Sequence, residues 1–186
     1  MKKTIFLFSV ILSIHFQVFS QSVHQDPTHN FTVQRLLILN NEGEMLMCRE
    51  KHVWVPLSFV FEDRQYVRES LDSLAMAFGL QIKDIELRGQ FSYKYDYHPQ
   101  ATLRNFYVAR LVKGEVETPS GMDEVKWLKV DEAIDINTVS SIKLICQQIM
   151  GNPNIVWGGS FMVSHVGDDH PTKMVEDFYP LFRRKK

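Results

Sequence analysis

The sequence predicts a layered domain of mixed α/β (α+β) type, strands and two amphipathic helices packed around one core. Three observations predict it. Apolar runs with β-type alternation recur between residues 32 and 130. Two other stretches repeat apolar residues at helical spacing. The order is strands, helix, strands, helix, which builds layers rather than a bundle or a sandwich of sheets. A chain of 186 residues with 45% hydrophobic and 23% charged residues can bury one sizeable core. The formal net charge of -1 provides no global field for nucleic acid. The basic run from Arg183 to Lys186 reads as a solvated tail.

Residues 32–40 (TVQRLLILN) read as a mostly buried strand, Asn41-Glu42-Gly43 as a turn, and residues 44–49 (EMLMCR) as the return strand of a hairpin. Trp54-Val55-Pro56-Leu57 follows. Val67, Leu71, Leu74, Ala75 and Phe78 then share one helical face, and Gly79 ends that helix. Residues 82–91 and 103–112 read as strands, with Tyr93, Tyr95, Tyr97 and His98 between them. Residues 124–130 alternate as a strand, and Asp131-Glu132-Ala133 starts a short helix. Residues 138–150 form the second long helix, with Val139, Ile142, Ile145, Cys146 and Ile149 on its apolar face. Residues 151–186 read as an irregular C-terminal extension containing Gly158 and Gly159.

The N-terminus has the layout of an export signal. Lys2 and Lys3 precede an almost wholly apolar run over residues 4–19, and the chain turns polar after Ser20. An apolar run of about 16 residues is short for a membrane span, which needs roughly 20. Residues 1–20 are therefore expected to be a signal peptide and residues 21–30 a linker, followed by a domain over residues 31–150. The expected location is secreted or periplasmic, with no membrane attachment after cleavage. Cys48 lies in a strand pattern and Cys146 in a helix pattern, and two buried thiols are expected rather than a bridge.

The element order, with Trp54 and Pro56 just before the first helix and Gly79-Leu80 at its end, resembles the Nudix (MutT-like) superfamily. The spacing from Pro56 to Leu80 equals that of the family's box, and residues 122–128 (MDEVKWL) resemble its acidic-then-Trp strand. The resemblance covers residues 31–150 and implies a Nudix-like α/β/α sandwich with a mixed sheet. It implies no chemistry, because the box is degenerate. The family's glycine is Ser58, its first glutamate is Arg64, its Arg-Glu pair is Asp72-Ser73, and its Glu-Glu pair is Met76-Ala77. Glutamates at these helical positions hold Mg²⁺ or Mn²⁺ against a diphosphate, since hard cations take oxygen ligands. A hydroxyl, a thioether and a methyl do not replace them.

The expected function is therefore a non-catalytic domain that binds an unknown small molecule or protein, with no metal cofactor and no nucleic acid. The alternative is a divergent hydrolase of a nucleoside diphosphate-linked substrate, with Mg²⁺ held by Glu62, Asp63, Glu69 and Asp72. The resemblance implies that Arg49, Trp54, Tyr93, Tyr95 and Tyr97, with His98, surround the family's cleft. These could stack on and hold a phosphate-bearing ligand. Cross-strand aromatic packing explains the same residues equally well. His165, Asp168, Asp169 and His170 have metal-ligating side chains but fit no ligand spacing, and read as a loop. Val156, Trp157, Phe161 and Met162 form an apolar tail segment that could dock a partner.

Overall fold

The structure is a computed structural model that describes residues 31–61, 66–167 and 169–184. The expected signal peptide, the linker and Arg64 lie outside the described residues.

Among the described residues, nine strands and three helices follow in the order β1 (Phe31–Leu39), β2 (Glu44–Glu50), β3 (Val53–Val55), β4 (Leu57–Phe61), α1 (Val67–Ala77), β5 (Leu80–Tyr95), β6 (Ala101–Gly114), β7 (Glu124–Lys129), α2 (Val130–Ile136), α3 (Ser140–Gly151), β8 (Ile155–Val163) and β9 (Thr172–Arg183). The sheet is mixed: β1 pairs with β6 in parallel, β5 with β8 in parallel, and the remaining pairs are antiparallel.

The expected hairpin between the first two strands holds only at its turn. There Asn40 Oδ1 accepts from the Glu42 and Glu44 amides, and Gly43 takes φ +80°. Strands β1 and β2 are registered at Leu39 and Met45 alone. Beyond that point they separate. Strand β1 runs between β4 and β6, and β2 runs between β3 and β7.

Both faces of the central strands are buried. Leu36 and Ile38, with Leu46 and Cys48, pack under α1 against Leu71, Ala75 and Phe78. Leu37, with Met45 and Met47, packs under α2 and α3 against Ile142, Ile145, Cys146 and Ile149. Period-two alternation in an apolar run feeds two helical layers at once. The two cysteines are free and buried on opposite faces of the sheet. Burial pushes the Cys48 thiol up to about 11 and that of Cys146 up to about 12.

Strands β4, β8 and β9 lie where none is expected. Strand β4 is extended and pairs with β1 from Thr32↔Phe61 to Leu36↔Leu57. Ser58 is thus a strand residue, which explains why this position tolerates a Cβ. The C-terminal region is not irregular. Strand β8 continues the sheet beside β5, and β9 closes its edge. Gly158 and Gly159 interrupt the apolar alternation in sequence for a packing reason. A Cβ at Gly158 would lie 2.7 Å from the Tyr179 ring, and one at Gly159 would lie 3.2 Å from Phe178. Strand β9 carries Pro180 and three register irregularities against β8, as an edge strand permits. Trp157 and Phe161 belong to the chain's own core, so they are not a free docking segment. Among the described residues, no helix is long and apolar enough to cross a membrane.

Candidate functional site

Helix α1 is an amphipathic segment without a side-chain N-cap, and its C-terminus is stopped by Gly79 at φ +77°. Ser70, Leu71 and Ala75 are its buried members. Ser73, Met76 and Ala77, the positions of the family's carboxylates, are all exposed. Of the acids that could replace them, two are described. Glu69 is exposed, Asp72 lies 3.8 Å from Arg68 as an i,i+4 pair, and Glu62 and Asp63 lie outside the described residues. Among the described residues, no group of three His, Cys, Asp or Glu side chains could hold a metal ion.

The five expected ligand-binding residues fall into three groups. The first lies on β2, β3 and β7. Arg49 Cζ stands 5.4 Å from the Trp54 ring centroid and Lys126 Nζ stands 4.5 Å from it. Glu124 joins both cations, at 3.2 Å from Arg49 and 3.1 Å from Lys126. Trp54 is nearly buried, and its backbone exchanges bonds with Thr138 at the α2–α3 junction. The aromatic ring is thus a floor for two cations that already share one carboxylate.

The second group is an exposed aromatic cluster at the end of the sheet. The Tyr95 ring stacks on His98 at 4.3 Å, and Tyr97 meets His98 edge-on at 4.8 Å. His165 and His170 of the β8–β9 turn stack on each other at 5.1 Å and approach Tyr97 at 5.5 and 5.9 Å. The expected loop of His165, Asp169 and His170 is therefore a tight turn closed by the Val166–Asp169 bridge. Asp168 lies outside the described residues.

Tyr93 forms the third group and leaves the surface altogether. It is fully buried and stacks on Phe161 at 5.0 Å. Its ring also carries the Arg104 guanidinium, 3.6 Å from the centroid. Arg35 on β1 is buried beside them, with its Cζ 5.9 Å from the Phe106 centroid. The Tyr93 hydroxyl faces Ser141 and Arg104 without a hydrogen bond of standard geometry to either. Burial raises its pKa, against the pull of Arg104, Ser141 and Arg35. Sequence reasoning missed Arg35, Arg104 and Ser141. A signal was there: Arg35 alternates with Leu37, so the period that buries Leu37 under α3 also buries a charge.

A further buried arginine has a plain structural role. Arg88 Nη2 donates to the carbonyls of Ile149 at 3.0 Å and Asn152 at 2.9 Å, capping the C-terminal end of α3. That helix has no basic residue in its own last turn.

No family model and no curated protein matches the sequence. The fold does match solved structures. The MutT protein from Bacillus halodurans superposes with a TM-score of 0.64 at 17% identity, over 78% of this chain and 97% of that one. A MutT protein from Methanosarcina mazei Go1 gives 0.54 at 13% identity, over 67% and 95%. A Nudix hydrolase from Nitrosomonas europaea gives 0.54 at 11% identity, over 66% and 89%. The mixed sheet between helical layers is a Nudix-like α+β fold.

Proposed function

We propose that the protein is an exported, non-catalytic binding domain built on the Nudix-like scaffold. The observation that carries this reading is the exposed face of α1, where Ser73, Met76 and Ala77 stand in place of carboxylates. A hydroxyl, a thioether and a methyl give Mg²⁺ too few oxygens, and a scaffold alone supplies no chemistry. The apolar run over residues 4–19 supports export and a secreted or periplasmic location. The ligand would be a small molecule or a protein met outside the cytoplasm.

The alternative is a hydrolase with relocated acids, which the likeness to MutT and Nudix hydrolase structures keeps in view. One assay separates the two. Purified protein is incubated with Mg²⁺ and a nucleoside diphosphate derivative, alongside a variant carrying Glu62→Gln, Asp63→Asn, Glu69→Gln and Asp72→Asn. The binding reading expects no product above background from either. Turnover at ordinary enzymatic rates that the four substitutions abolish would establish the hydrolase.

A further inference from the structure

We infer that the face under α3 holds a binding site for one oxyanion, a phosphoryl or carboxylate group of a small molecule, between Arg35, Arg104, the Tyr93 hydroxyl and Ser141. Strands β1 and β6 run in parallel, with Arg35 registered against Phe106 and Arg104 against Val33. The two guanidinium groups therefore rise from one face of neighbouring strands. Phe106 supports one and Tyr93 the other. Arg35 Nη1 donates to the Pro56 carbonyl at 2.9 Å, which fixes the side chain from behind.

What is missing is an anionic acceptor. Arg35 Nε, Arg104 Nε, the Tyr93 hydroxyl and Ser141 Oγ are all enclosed, and none makes a hydrogen bond of standard geometry, although the Tyr93 hydroxyl faces both Ser141 and Arg104. Arg35, Tyr93 and Ser141 are each more than nine-tenths buried. Neither arginine pairs with a carboxylate among the described residues. Burying a cation without a counter-charge is expensive, and placing a second beside it more so. Desolvation, then the neighbouring Arg104 charge, pulls Arg35 down to about 10. Ser141 sits in the first turn of α3, whose dipole adds positive potential at that end. A trapped water would satisfy the two hydroxyls but not the charges. An oxyanion would offset every one of these terms, and a guanidinium fork matches its geometry. Arg104 is only half-buried, so the group opens toward solvent on its side.

This inference rests on the binding reading above, and the two fail separately, since turnover of a diphosphate with Mg²⁺ bears on the first alone. The test is calorimetric titration and thermal unfolding of the purified chain at constant ionic strength, with inorganic phosphate in one arm and acetate in the other. One arm should saturate at one ion per chain and raise Tm. The stronger arm identifies the group as phosphoryl or carboxylate. Arg104→Met and Arg35→Met should each weaken binding at least tenfold, while Arg184→Met, at an exposed pair with Glu86, should bind as the parent does. If Arg35→Met does not fold, the half-buried Arg104 decides. Absence of saturable binding in both arms, or parent-like binding by Arg104→Met, overturns the site.

Discussion

The two ends of α3 treat buried arginines in opposite ways. At the C-terminal end, Arg88 is buried and its donors find the carbonyls of Ile149 and Asn152, which also accept from the Asn152 and Ile155 amides. Charge and dipole agree there, and the arginine completes the fold. Near the N-terminal end, Arg35 and Arg104 pair with no carboxylate among the described residues, enclose unpaired donors, and meet the positive end of the same dipole. The same residue type is a cap in one place and an unanswered charge in the other. A buried arginine therefore points to a ligand only where its donors and its charge are both left without an answer.

The largest expected effect lies at the cap. Arg88→Met removes two charge-assisted bonds and leaves the Ile149 and Asn152 carbonyls with their backbone amides alone, which should destabilise the protein by about 3 kcal/mol. Urea unfolding measures it, and an effect under 1 kcal/mol would break the contrast from the capped side. At the other end the sign should reverse. In anion-free buffer, Arg35→Met exchanges an unanswered charge for an apolar side chain of similar length. Stability should then hold or rise by about 1 kcal/mol, as for other buried charges replaced by hydrophobes. Phosphate should erase that advantage by stabilising only the parent.

The pH dependence sharpens the same point. Burial holds the folded Arg35 guanidinium at about 10, well below its unfolded value. Its charge therefore costs stability in full below pH 10, and the cost fades as pH rises above 10. The stability gap between Arg35→Met and the parent should narrow between pH 9 and 11 when followed by urea unfolding. A gap that widened would contradict the burial of an unanswered charge. The smallest effect belongs to the surface. Glu124→Gln breaks half-exposed pairs with Arg49 and Lys126 and should cost under about 1 kcal/mol, with the loss shrinking in high salt.

Much of the scaffold was legible because it is written in local patterns. The alternation in residues 32–40 and 103–112, the helical face from Val67 to Phe78, and the Gly79 stop each follow from short-range periodicity. Strand β4 was hidden because a five-residue strand with one buried residue shows little period. Strands β8 and β9 were hidden because glycines and a proline mask a sheet edge that exists only through pairing with β5. The site was less legible still. Tyr93 and Tyr97 alternate in sequence with Tyr95, yet one is fully buried and another well exposed, because β5 ends between them. The Arg35 and Arg104 neighbourhood depends on a parallel pairing across almost seventy residues, which no local pattern reports.

On the proposed reading, this scaffold lacks the metal-dependent chemistry of the Nudix box. The direct measurement is calorimetric titration of Mg²⁺ into the protein with ADP-ribose present, followed by product analysis. No saturable metal heat and no cleaved diphosphate are expected, because Ser73, Met76 and Ala77 offer the cation too few oxygens. Saturable Mg²⁺ binding with turnover would contradict it and place the protein among the hydrolases.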